Sequence, residues 1–196
     1  MLRAILFDMD GVLVSSREAW FRTLVVVAER RGHGTIDRAA FDDSFGQGLA
    51  ADVDRFFPGL PPAELAFEYD RTFPEMIDHV VAMAGALDVT LALRTRGLAT
   101  AVVTNTPTSL ARTILARVGL DAGPCFGATA GLAEKPAPDL VLAACDSLAV
   151  PAAEALLVGD SRYDREAARA AGARFAGLGI AGEWTLSSLD QVLALA

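Results

Sequence analysis

The sequence is short of lysine. It holds 17 basic residues, of which 16 are Arg, and Lys135 is its one Lys. Histidine and cysteine are scarce as well, with two of each. His33 and His79 lie in a stretch without a strand pattern, away from every strand end, which disfavours Ser-His-Asp and Cys-His chemistry. Cys125 and Cys145 lack a CxxC spacing, so both read as reduced packing residues and no disulfide framework is expected. No apolar run can span a bilayer, and no N-terminal stretch has the basic start, apolar middle and cleavage site of a leader. Positive charge is also in deficit: 196 residues carry a net charge of −8. That argues against nucleic acid or an anionic membrane as the main partner, while a local site can still oppose the global charge and take a small anion. The expectation is a cytoplasmic protein with one core, or a core plus a small accessory domain. Oligomeric state is not legible.

What is present is an alternation of strands and helices. Ala4–Phe7, "ATAVVTN" (Ala99–Asn105), "EALLVGD" (Glu154–Asp160) and "ARFAGLG" (Ala173–Gly179) read as strands, the last as the final one, and "PCFGATA" (Pro124–Ala130) as a short one. Between them fall helices such as "TPTSLARTILARVG", with Thr106 as N-cap, Pro107 at the first helical position and Gly119 past the end. "APDLVLAACDSLA" and "SRYDREAARAAG" read the same way. The pattern predicts an α/β fold with a parallel sheet. From Ser15 to Ala84 the rhythm breaks. Helical patterns at Arg17–Arg31, Asp37–Phe45, Ala50–Phe57 and Pro62–Val81, the last interrupted by Pro74, come without a convincing strand. The expected organisation is a core from 1–14 and 85–196, with a helical insert over 15–84.

Polar residues gather where the strands end. Asp8 and Asp10 follow the first, Thr104 and Asn105 end the second, Asp160 ends "ALLVG", and Lys135 lies in "EKPAPD" before a helix. In an open parallel sheet these ends share one edge, the edge where ligands bind. Adjacent carboxylates repel unless a cation or a shared proton lies between them. Asp8, Asp10 and Asp160 make a hard oxygen site suited to Mg²⁺, and Lys135, Thr104 and Asn105 supply donors for an anion beside it. Metal, donors and carboxylates together describe a phosphate site. Singly, each feature has a plainer reading: Asp8 and Asp10 as turn residues before Gly11, Asp160 and Ser161 as a helix cap with Asp164 completing a capping box, Lys135 as a solvated cation.

Taken in order, "DMDGV", "VVTN", "KPAPD" and "GDSRYD" resemble the four motifs of the haloacid dehalogenase-like superfamily, in its phosphoglycolate phosphatase-like branch with a helical cap. The resemblance implies a Rossmann-like core with an inserted α-helical cap domain. It implies Asp8 as the nucleophile that becomes an aspartyl phosphate, and Asp10 as the acid, then base. It implies Mg²⁺ on Asp8, the backbone carbonyl of Asp10, and Asp160, with Asp164 in support. Thr104, Asn105 and Gly11 are implied as phosphate contacts, and Lys135 as the cation between Asp8 and the phosphate. The substrate implied is a small phosphorylated metabolite. A compact ammonium fits such a narrow position better than a flat guanidinium, a reason for an Arg-favouring chain to keep this Lys.

Asp10 separates the branches, because dehalogenating members lack an acid at that position. Phosphonate-cleaving members use a cap Lys, and this cap has none. Sugar-phosphate mutases of the phosphoglucomutase kind usually carry His ten residues after the second Asp, where this chain has Trp20, and a cap Arg for a second phosphate, where Arg55 comes late. A mutase, or a silent phosphate-binding relative, is the alternative to a phosphatase. Ser15 replaces a common Asp at the hinge into the cap. Gln47, Trp20 and Arg22 are the candidate substrate contacts of the cap, with packing the plainer role for Trp20 and Phe21 and a solvated face for Arg22. His33, between Gly32 and Gly34, reads as a loop residue.

Overall fold

A computed structural model describes residues 1–129 and 131–196. Six strands form one sheet in the order β5-β4-β1-β6-β7-β8: β1 (Ala4–Phe7), β4 (Ala99–Pro107), β5 (Cys125–Ala128), β6 (Ala155–Gly159), β7 (Arg174–Leu178) and β8 (Trp184–Leu186). All five pairings are parallel. The chain runs from β1 outward through β4 to β5, then returns to the other side of β1 as β6. Asp8, directly after β1, therefore stands at the switch point between the two halves, where the crevice of such a sheet opens.

The central strands β1 and β6 are apolar on both sides because helices cover both faces of the sheet. The pleat sends Ile5 and Phe7 one way and Ala4 and Leu6 the other. Ile5, Phe7, Val102 and Val158 pack on α5 (Ala86–Thr95) and α6 (Thr108–Arg117) through Leu93 and Ile114. Ala4, Leu6, Val103 and Leu157 pack on α7 (Asp139–Ser147) and α8 (Arg162–Ala171) through Leu140, Val141 and Ala167. Gly172, in the left-handed conformation at φ 73°, closes α8.

Between β1 and α5 the chain forms α1 (Arg17–Arg31), α2 (Arg38–Ser44), α3 (Leu49–Phe56), α4 (Pro62–Thr72) and a 3₁₀ stretch over Phe73–His79 that begins one residue before Pro74. Trp20, Leu24, Phe57, Leu65, Tyr69 and Phe73 join the same apolar cluster as the Ile5 face of the sheet. Two short strands, β2 (Val14–Ser15) and β3 (Val81–Ala82), pair antiparallel where the chain leaves and rejoins the core. Sequence reading misses this ribbon, since two residues show no alternation. It also stops one strand early: β8, three residues long, follows the strand expected to be last. The third correction matters for the site. The second strand runs on to Pro107, and α6 starts at Thr108 with Pro107 as N-cap, so Thr106 belongs to the strand.

Candidate active site

The overhang of β4 builds one wall. β1 pairs with β4 only as far as Phe7 opposite Val102, and the β4–β5 register is irregular between Val103 and Pro107. The residues beyond Val103 are thus free to reach around the end of β1. Alternation along the extended chain points Thr104 and Thr106 to one side and Asn105 to the other. Thr106 Oγ1 donates to Asp10 Oδ2 at 2.8 Å, and Thr104 Oγ1 approaches the same oxygen at 3.4 Å. Asn105 faces the loop that carries Lys135: its Oδ1 accepts from the Lys135 amide at 2.7 Å, and its Nδ2 donates to the Lys135 carbonyl at 2.9 Å. The side-chain amide of Asn105 is therefore engaged in holding Lys135.

Lys135 Nζ donates to Asp8 Oδ1 at 2.7 Å, to Asp164 Oδ1 at 2.6 Å and to the Val103 carbonyl at 2.9 Å. With 3% of its surface exposed, it is no solvated cation. Ser161, not Asp160, caps α8. Asp164 closes the capping box with Oδ2 on the Ser161 amide at 3.1 Å and keeps Oδ1 for Lys135. The capping reading and the site reading of "GDSRYD" thus hold together, with Asp164 serving both through its two oxygens.

Asp8, Asp160 and Asp164 bring one carboxylate oxygen each within 4.8 Å of one another. Three carboxylates face one ammonium there. Burial, then Asp164, push the Asp8 carboxyl well above its usual range, with Lys135 opposing. Asp160 is pushed up to about 7 by burial and then by Asp164. Such strain marks missing positive charge, and an all-oxygen donor set suits a hard divalent cation rather than a thiolate- or imidazole-seeking one. Asp10 contributes no side-chain oxygen to this cluster.

Gly11 provides room rather than a donor. Its amide is bonded to the Val14 carbonyl at 2.8 Å within the turn, and at φ 91° a Cβ would overlap the Asp160 carboxylate. Gly11→Ala is expected to displace Asp160 and weaken divalent-cation binding about tenfold or more, on the order seen when a ligand's support is removed. Isothermal titration calorimetry with Mg²⁺ checks it.

Asp10 has a different setting from Asp8. Besides Thr104 and Thr106 it accepts from the Ser16 hydroxyl and, at 3.2 Å, from Trp20 Nε1. Ser16 stands at the N-cap of α1 but makes no side-chain cap bond, since its hydroxyl goes to Asp10. Trp20 does pack, 4.5 Å from Phe73 and 5.3 Å from Tyr69 between ring centroids, and its N–H reaches the site as well. Arg22 pairs with Glu18 on the exposed face of α1. His33 rests edge-on against Phe57, and Cys125 and Cys145 are buried free thiols.

A cavity of about 60 Å³ lies between the strand ends and the helices, lined by Asp8, Asp10 and Thr104–Thr106 below and by Trp20, Gln47 and Tyr69 among others above. The core grips the loop before α3 at two points. Asn105 Nδ2 reaches the Gly46 carbonyl at 3.1 Å, and the Glu134 carboxylate lies so close to Gly48 at the start of α3 that a Cβ there would overlap it. Sequence reasoning misses Ser16, Thr106 and Glu134. A period of two from Thr104 points to Thr106, but the Pro107 helix start hides it. Nothing local marks the other two.

A parallel α/β sheet with a carboxylate-rich, lysine-braced pocket at its switch point is the arrangement of an enzyme that handles an anion beside a hard cation. The chain belongs to the haloacid dehalogenase-like hydrolases, whose family model matches residues 2–172. It is 35% identical over 187 residues to the phosphoglycolate phosphatase of Rhodospirillum rubrum, covering 88% of this chain and 77% of that one. It is 29% identical over 182 residues to the N-acetylmuramic acid 6-phosphate phosphatase of Pseudomonas putida, covering 89% and 82%. In fold it matches β-phosphoglucomutase from Clostridium difficile with a TM-score of 0.85 at 17% identity, covering 98% and 93%. The enzyme class carried by family and relatives together is a phosphatase. No helix among the described residues is long and apolar enough to cross a membrane.

Proposed function

We propose that this chain hydrolyses a small phosphate monoester in the cytoplasm, in two half-reactions on Asp8 and Asp10. The contrast between these two neighbours carries the reading. Asp8 lies among carboxylates with Lys135 at 2.7 Å, whereas Asp10 turns to two threonines, a serine and an indole. Two carboxyl groups with environments this different suit two roles.

In the first half, a carboxylate oxygen of Asp8 attacks phosphorus, the bond to the leaving oxygen breaks, and Asp10 gives that oxygen its proton. In the second, Asp10 takes a proton from water, the water oxygen attacks phosphorus, and the Asp8–phosphoryl bond breaks. Phosphate leaves and both acids return to their starting forms. Lys135 holds Asp8 in line and offsets its charge against the incoming phosphate. Thr104 and Thr106 keep Asp10 aimed and face the phosphate oxygens, while Asn105 fixes the Lys135 loop. A hard divalent cation, Mg²⁺ on this reading, would be held by Asp8, Asp160 and Asp164 with the Asp10 main chain, and supplies the neutralisation that lets a carboxylate approach a phosphate. The helices between 15 and 84 act as the cap that excludes water, with the core from 1–14 and 85–196 and the β2–β3 ribbon as the two crossings.

Release of phosphate from p-nitrophenyl phosphate tests the proposal. Chelation is expected to lower the rate at least about a hundredfold, with recovery on added Mg²⁺. No release at any Mg²⁺ concentration would leave a silent phosphate-binding protein instead.

A further inference from the structure

The upper wall of the cavity is acidic and apolar, without a cation. Among the described residues that line the whole cavity, none is Lys, Arg or His. Asp52, on α3, is the charged group of the upper half. Its Oδ1 accepts from Gln47 Nε2 at 2.7 Å and its Oδ2 from the Tyr69 hydroxyl at 2.9 Å. Each carboxylate oxygen has two lone pairs, so acceptor capacity remains on both.

The donors of this wall are largely spent. The Ser44 hydroxyl goes to the Phe41 carbonyl, the Tyr69 hydroxyl and one Gln47 N–H to Asp52, and the Trp20 N–H to Asp10. The nearby cation of α1, Arg17, is outside the lining. It stacks on the Phe45 ring at 4.2 Å and donates to Asp42 at 3.1 Å. An anionic group on the ligand would find a carboxylate, the apolar side chains of Trp20, Leu24, Phe41, Phe45 and Leu49, and no counter-charge in the wall. Burial pushes Asp52 up to about 6, against the hydrogen bonds from Gln47 and Tyr69, and Glu134 adds a smaller push in the same direction.

We infer that Asp52 is a specificity-determining residue that selects phosphate monoesters whose far end carries a hydrogen-bond donor, a hydroxyl or an ammonium, and rejects those ending in a carboxylate or a second phosphate. The inference rests on the phosphatase reading above and sets this chain apart from relatives named for phosphoglycolate. It also disfavours a mutase, which has a second phosphate to seat.

Three esters with the same two-carbon frame isolate the far end: 2-hydroxyethyl phosphate, 2-aminoethyl phosphate and 2-phosphoglycolate. With Mg²⁺, the wild-type kcat/KM is expected to be at least about tenfold higher for the better of the first two than for phosphoglycolate, consistent with the cost of facing like charges. Which of the two leads tells hydroxyl from ammonium. Asp52→Asn keeps shape and an acceptor for Tyr69, and is expected to narrow that ratio about tenfold, mainly through KM. Phosphoglycolate as the preferred ester, or a ratio unmoved by Asp52→Asn in a variant whose melting curve shows it folded, would overturn the assignment. Those results come with p-nitrophenyl phosphate still cleaved. If that ester is also inert, the phosphatase reading falls and takes this inference with it.

Discussion

Asp8→Asn is expected to abolish turnover while leaving the fold at least as stable as the wild type. The substitution keeps the shape of the side chain and an oxygen to accept from Lys135, which lies at 2.7 Å. It replaces the carboxylate that attacks phosphorus on the proposed mechanism by a poorly nucleophilic amide, and kcat is expected to fall on the order of 10⁴-fold or more, as when other nucleophiles are deleted. It also removes a carboxylate whose charge is disfavoured by burial and by Asp164, so the melting temperature should hold or rise. Activity within about tenfold of wild type would show that Asp8 is not the nucleophile.

Lys135→Met should behave in the opposite way, harming the fold as well as the reaction. Its ammonium lies between Asp8 and Asp164, at 2.7 and 2.6 Å, with almost no exposed surface. Taking away one partner of a buried ion cluster leaves uncompensated charge and costs about 3–5 kcal/mol. At roughly 2–4 °C per kcal/mol for a chain of this size, the melting temperature of the metal-free protein should drop by about 10 °C. Mg²⁺ should restore part of the loss. The pH dependence has a definite sign. Asp160 is raised from 3.8 to about 7, so the folded state binds its proton better than the unfolded state does. Stability of the metal-free protein from this group therefore declines as pH rises between about 4 and 7. The gain in melting temperature from Mg²⁺ should accordingly be larger near pH 8 than near pH 5.5. An unchanged melting temperature in Lys135→Met would mean that the three carboxylates do not depend on it.

Sequence alone indicates which strand-end residues meet, because a parallel sheet delivers every strand's carboxyl end to one edge. Asp8, Asp160, Asp164 and Lys135 meet for that reason. What stays hidden is how long a strand runs. Pro107 looks like a helix start, yet β4 continues to it, and two further residues of extended chain turn Thr106 from a cap into a partner of Asp10. The helical side of the cavity is hidden for a different reason. Asp52, Gln47 and Tyr69 come from α3, the loop before it and α4, and helical periodicity says which face is apolar without saying what shares a wall with the phosphate. Trp20 shows a limit of a different sort: an aromatic on a packing stripe can fill the core with its ring and still aim an N–H at a carboxylate.

Half of what holds Asp10 is borrowed. Thr104 and Thr106 come with the sheet, but Ser16 and Trp20 come with the first helix of the insert. On the proposed mechanism, a movement of that helix away from the strands would withdraw two of four donors from the group that handles the proton. By the same mechanism, an ester reaching the pocket with that helix withdrawn would meet Asp8 and Lys135 in place but an ill-aimed Asp10, and turnover would wait for the helix to return.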